Sequence, residues 1–166
     1  MQKSKEQGGR PQRGKREPSE YEEEVLQIDR VTRVVKGGRR LRFRATVVVG
    51  NKKCKVGIGI GKSHEVVGAI QKAITQAKKD LVTVNMRNGT IPHEVRLKYK
   101  SARILMMPAS PGTGIIAGGA IRKIAELAGI QNLLAKMFGA SNRITNAQAT
   151  MIALRKLHAK PHQKDI

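Results

Sequence analysis

Val56-Gly57-Ile58-Gly59-Ile60-Gly61-Lys62-Ser63 alternates glycine with aliphatic residues just ahead of a helical pattern, and its reading decides the fold. As a phosphate-binding loop of the Walker type it would need four residues between the first Gly and the Gly-Lys pair. Gly57 and Gly61 enclose three, position 56 is Val, and no later strand ends in an acid placed to hold magnesium. A period of two fits a strand with one bare face, which another backbone or an RNA chain approaches closely.

Upstream of that strand, Val25–Val35 mixes β-branched and polar residues, Gly37-Gly38 offers a two-residue turn, and Leu41–Val49 returns. Gly50, Asn51 and Lys52 supply a second turn before the strand Lys55–Ile60. Downstream, Ser63 is the expected N-cap of a helix and Glu65 suits its positive end. Val66, Ile70, Ala73, Ile74 and Ala77 form one apolar stripe. Leu81–Val84 is a short strand, so the first unit is β-β-β-α with a trailing strand.

A second unit follows Asn88-Gly89 and Pro92. Val95, Leu97 and Tyr99 alternate with Arg96, Lys98 and Lys100, giving a strand with one basic face, and Ala102–Met107 is a mostly apolar strand. A glycine-rich loop, Pro108–Gly119, leads to a helix through Ala128 with Gly129 as its stop. Ile130–Phe138 is an expected strand. A last helix spans about Asn146–His158, with Met151, Leu154 and Leu157 inward. The order predicts an α+β protein of two small domains, residues 21–86 and 87–158. A basic arm over 1–20, poor in apolar residues, reads as disordered, and 159–166 as a flexible tail.

The chain carries 33 Lys+Arg against 12 Asp+Glu, a formal charge of +21. The first 24 residues balance to zero, so the excess is concentrated in 25–157, which holds 25 bases and only five acids. Self-repulsion of that size calls for a polyanion, and a nucleic-acid backbone supplies one. The five acids (Asp29, Glu65, Asp80, Glu94 and Glu126) are scattered, which leaves no carboxylate pair for acid–base chemistry. His64 and His93 have no ligand-spaced partners, so no metal and no cofactor is expected. Gly112-Thr-Gly114-Ile-Ile-Ala117 matches a dinucleotide pattern, but Gln131–Phe138 lacks the acid that would bind a ribose; a tight packing loop is the better reading. The single Cys54 fits a reducing compartment, no apolar run approaches the ~20 residues of a membrane span, and no secretory leader is expected.

The cations have a focus. Arg40, Arg42 and Arg44 fall on one face of the second strand, opposite Leu41 and Phe43, while Lys36 and Arg39 flank the turn. Five cations on one ribbon suit converging phosphates. Tyr21, Phe43, Tyr99 and Phe138 are the only aromatics, too few for a sheet that stacks bases, which favours structured RNA read through phosphates, 2′-hydroxyls and shape.

Residues 21–158 closely resemble the small-subunit ribosomal protein S-five family of bacterial and organellar type. The resemblance is carried by Arg33–Arg39, Phe43–Gly50, Val56–Lys62, Asn88–Glu94, Pro108–Gly119 and Glu126–Gly129, in that order. It implies an N-terminal domain similar to a double-stranded-RNA-binding fold and a C-terminal, sandwich-like α/β domain with two helices on a sheet. It further implies a place in the small subunit near the path by which mRNA enters and the decoding region, in the cytoplasm or in an organelle. Small-subunit ribosomal RNA and neighbouring proteins four and eight would be its partners.

The resemblance also assigns residues. The hairpin loop, with Arg33, Lys36, Gly37, Gly38 and Arg39, would reach into ribosomal RNA near the head–neck hinge and the spectinomycin site. Arg40, Arg42, Arg44, Lys52, Lys53, Lys55 and Lys62 complete the expected RNA-binding set. The surface of Gly114 and Arg122 would face protein four and affect decoding accuracy. Two departures stand out. The family's usual Asp-Gly-Asn-Gly-Arg turn is Asn51-Lys-Lys-Cys-Lys55 here, so a changed turn conformation is expected. Its usual Asn-Pro-Ile-Asn is Asn142-Arg-Ile-Thr145, which alters the start of the last helix.

Overall fold

A computed structural model describes residues 20–157; the predicted arm up to position 19 and the tail lie outside the described residues. The order is β1 (Glu22–Val35), β2 (Gly38–Gly50), β3 (Lys55–Ser63), α1 (Val66–Lys79), β4 (Val82–Thr83), β5 (Val95–Tyr99), β6 (Ala102–Pro108), β7 (Ile115–Ile116), α2 (Gly119–Ala128), β8 (Leu133–Gly139) and α3 (Arg143–Arg155). One antiparallel sheet has the order β1-β2-β3-β4. The second has the order β5-β6-β8-β7, with β7 parallel to β8. The α+β class and the two helices on the second sheet are as expected.

The bare face of β3 meets a helix. A Cβ added at Gly57, Gly59 or Gly61 would lie 2.3, 2.0 or 2.2 Å from the carbonyl oxygens of Ala77, Ala73 and Ala69 respectively. Those three alanines are fully buried on α1. The match is one of pitch: two strand residues advance ~6.7 Å and four helical residues ~6.0 Å, so a Gly-x-Gly-x-Gly strand lies along an Ala-x-x-x-Ala-x-x-x-Ala helix. Register places Ala45, Val47 and Val49 of β2 beside the same glycines, and all three are buried in this layer.

The opposite face of the same sheet is equally covered. Val48, Val56 and Leu26 join Ile121, Ile124, Leu127 and Leu154 in one core that runs from the first sheet into α2 and α3. The two halves of the chain are thus packed through a shared apolar layer. Met151, Leu154 and Leu157 are buried, as their spacing predicts.

Several boundaries differ from expectation, among them β1, which starts at Glu22 and not Val25, and β8, which starts at Leu133 and not Ile130. Ser63 is the last residue of β3, paired with Phe43, and Glu65 is the N-cap of α1 without a side-chain cap bond. The strand runs on because β2 continues to supply backbone partners. The β1–β2 turn is Lys36-Gly37, since Val35 pairs with Gly38; Gly37, at φ +88, takes the left-handed position. The last helix starts at Arg143, because the Asn142 side chain accepts from the Ile144 amide and caps it there. β7, two residues within the glycine-rich loop, is too short to leave a periodic signal.

The Asn51–Lys55 turn joins the halves. Lys52 and Cys54 hold φ +53 and +73, so the two positions where the family pattern has glycine keep left-handed backbone despite their side chains. Asn51 Oδ1 accepts from the Lys53 and Lys55 amides at 2.8 and 3.0 Å and ties the turn together. The Lys52 and Cys54 amides donate to the carbonyls of Leu127 and Ala128, both at 3.0 Å, and so cap the C-terminus of α2.

Three outcomes are expected in thermal melts of the purified chain. Gly59→Ala forces a methyl into the α1 backbone and destabilises the fold by about 3 kcal/mol, at the upper end of overpacking costs. Gly119→Ala, with open space at its Cβ, leaves the melt unchanged or slightly raised. Cys54→Gly relieves a left-handed non-glycine residue and raises stability by about 1 kcal/mol; a lowered melting temperature would contradict the strain assigned to this turn.

Candidate nucleic-acid interface

Beyond the part of the first sheet covered by α1, β1 and β2 continue as a two-stranded ribbon. Cross-strand register pairs Asp29 with Arg44, Val31 with Arg42 and Arg33 with Arg40, and β3 sets Lys62 beside Arg44. Arg33, Arg40, Arg42, Arg44 and Lys62 therefore share one face. It is the face that, further along β2, carries Thr46 and Val48 into the core. Arg33, Arg40, Arg42 and Lys62 line an open cleft of about 480 Å³ with Val31 and Val35. Lys36, Gly37, Gly38 and Arg39 form the exposed tip, with Arg39 on the opposite face from Arg40.

One of these cations is already occupied. Arg44 Nε and Nη2 donate to Asp29 Oδ2 at 3.0 and 2.7 Å, and the Arg44 guanidinium holds the Asp29 carboxyl below its usual range. Gln27 Nε2 also donates to Asp29. Arg33, Lys36, Arg39, Arg40, Arg42 and Lys62 have no acid partner among the described residues. Arg33 and Arg40 directly oppose each other, an arrangement that repels unless an anion lies between or above them.

The remaining expected residues are distributed elsewhere. Lys52, Lys53 and Lys55 are exposed at the far end of β2, about 40 Å from the hairpin tip by strand rise, and Lys52 pairs with Glu22 at 2.7 Å. They do not join the hairpin surface. Gly114 and Arg122 do come together: the Gly114 amide donates to Asn132 Oδ1 at 3.0 Å, and Arg122 Nη2 donates to the carbonyl of the next residue, Ile115, at 3.2 Å.

Arg143 is a neighbour that sequence reasoning did not place at the site. With Arg44, Gln27, Ser141 and Asn142 it lines a second open cleft, of about 550 Å³, between the first sheet and the start of α3. Its signal was present, since a cation stands where the family pattern has proline, but only the packing of α3 against β1 brings it beside Arg44. The acidic run Glu22–Glu24 is consumed within the fold: Glu22 binds Lys52, Glu23 binds Lys78 at 3.0 Å, and Glu24 binds Lys123 at 2.6 Å. Among the described residues no group of three His, Cys, Asp or Glu side chains is placed to hold a metal, and no helix is long and apolar enough to cross a membrane.

Comparison with known proteins agrees with this architecture. Residues 21–85 match the family model for Ribosomal protein S5, N-terminal domain, and residues 97–163 match that for Ribosomal protein S5, C-terminal domain. Small ribosomal subunit protein uS5 of Thermotoga neapolitana is 52% identical over 138 residues, 83% of this chain and 78% of that protein. The uS5 of Acaryochloris marina is 49% identical over 146 residues, 87% of this chain and 82% of the relative. Small ribosomal subunit protein uS5c of Spinacia oleracea is 50% identical over 138 residues, 82% of this chain but only 45% of the longer relative. With both domain models matched in order and half of the aligned residues identical to proteins of similar length, the chain belongs to the ribosomal protein S5 family, whose members are structural proteins of the small ribosomal subunit and not enzymes.

Proposed function

We propose that this chain binds small-subunit ribosomal RNA through the face of Arg33, Arg40, Arg42 and Lys62 and the tip of Lys36 and Arg39. There it supports subunit assembly, the junction of body and head, and decoding accuracy beside the path of the mRNA. The observation that carries the reading is the unpaired state of these cations: five positive side chains on the ribbon and Lys62 on the adjacent β3 have no acid partner among the described residues, two of them are directly opposed, and together they call for an external polyanion. The corner built by Gly114 and Arg122 is the surface assigned to neighbouring protein four, and a second contact is assigned to protein eight. Lys52, Lys53 and Lys55, at the opposite end of β2, serve as a separate RNA contact. The compartment is that of the ribosome itself, the cytoplasm or an organelle.

Arg40→Ala is expected to weaken binding to small-subunit RNA and to reduce the slope of log affinity against log salt by about 0.9, the share of one phosphate contact. A slope equal to that of the unmodified chain would remove Arg40 from the interface. Asp29→Asn releases Arg44 and should act in the opposite direction, steepening the slope and tightening binding.

The same ion pair has a pH signature. Because the folded carboxyl of Asp29 titrates below its unfolded counterpart, its stabilising contribution is present above the ordinary aspartate range and is lost as pH falls through the folded value. Acid titration of melting temperature should therefore show a smaller drop below about pH 4 in Asp29→Asn than in the unmodified chain.

A further inference from the structure

The second sheet buries one face and leaves the other uncovered among the described residues. Ala102, Ile104 and Met106 of β6 point into the core, so Arg103, Leu105 and Met107 point outward. Register extends that outer face across the neighbouring strands: Lys98, Arg103 and Phe138 form one row, and Arg96, Leu105 and Lys136 the next. Phe138 is 48% exposed. Lys98, Arg103 and Lys136 have no acid partner among the described residues, and Glu94 at the edge of the face is bound to Arg96.

A water-facing sheet surface ordinarily alternates to polar side chains, so a large exposed aromatic near the end of β8, with β6 on one side of it, needs a reason. Adjacent strands are ~4.8 Å apart, which puts Arg103 directly beside the Phe138 ring and Lys98 one strand beyond it. Lys136 lies two residues along β8 on the same face. An aromatic ring framed by cations on an open four-stranded sheet is the arrangement that stacks an unpaired base and holds its flanking phosphates. A protein surface fits less well, because the three free cations around the ring would each need a matching acid.

We propose that the outer face of the second sheet binds single-stranded RNA, with one base stacked on Phe138 and adjacent phosphates held by Lys98, Arg103 and Lys136. The proposal rests on the reading of this chain as an RNA-binding protein, but it uses a different sheet and a different form of RNA from the hairpin. Stacking of this kind accepts any base, so the face selects unpaired strand over duplex and not one sequence over another.

The chain has no tryptophan, so Phe138→Trp installs a single reporter at the site. Titration of the full chain with a twelve-residue oligouridylate should quench its emission over the range in which a labelled oligonucleotide binds the unmodified chain. Phe138→Ala should weaken that binding about tenfold while changing affinity for a blunt RNA duplex less than twofold. Arg40→Ala should show the reverse pattern, so failure of the sheet site and failure of the hairpin site are told apart. The double change Lys98→Gln with Arg103→Gln, both exposed, should lower the salt slope for the oligonucleotide by about 1.4. It decides the matter if Phe138→Ala lowers the melting temperature. Absence of quenching, or an unchanged oligonucleotide affinity in both variants, overturns the proposal. So does quenching that appears only when a neighbouring small-subunit protein is added, since the face would then be a protein dock.

Discussion

The contact between the glycines of β3 and the alanines of α1 is the constraint on which the rest of the molecule depends. Each of Gly57, Gly59 and Gly61 lets a helical carbonyl approach to a distance that a methyl group would forbid. With α1 that close, Ala45, Val47 and Val49 are sealed on one side of the first sheet, and the other side is left free for α2 and α3. A thin, closely packed layer takes the place of a large aromatic core, which suits a chain with two Phe, two Tyr and no Trp.

Charge is arranged around that frame by the same economy. The acidic run of β1 is drawn into the body, where Glu22, Glu23 and Glu24 tie β1 to the β2–β3 turn, α1 and α2 in succession. These exposed pairs are individually weak, yet they remove the negative charge that would otherwise compete with a polyanion. Among the described residues, the hairpin and the outer face of the second sheet each carry several cations with no acid partner. Stability and binding thus draw largely on different residues; Arg44, held by Asp29, and Lys52, held by Glu22, belong to both sets.

The turn at Asn51–Lys55 shows how a local sequence change is absorbed. Lysine and cysteine stand in left-handed backbone, and the amides of those two residues close the open end of α2. The hydrogen bonds across the halves, together with the Asn51 side chain, hold a conformation that the side chains alone disfavour. The tertiary contacts that hold this conformation leave no mark in a five-residue window.

Much of the architecture was legible from local pattern: alternation located β5, an apolar run located β6, the stripe of Val66, Ile70, Ala73, Ile74 and Ala77 located α1, and Gly129 marked the end of α2, since each reflects a local rule of pitch, burial or capping. The excess of cations over acids by itself determined that the partner is a polyanion, and the strand period by itself placed Arg40, Arg42 and Arg44 on one face. Tertiary structure alone decided what covers the bare face of β3, that Arg44 is neutralised, that Arg143 stands beside it, that Lys52 lies far from the hairpin, and that Phe138 faces outward. Each of these depends on which element packs against which, and such pairings join residues too far apart in the chain for any local period to connect them.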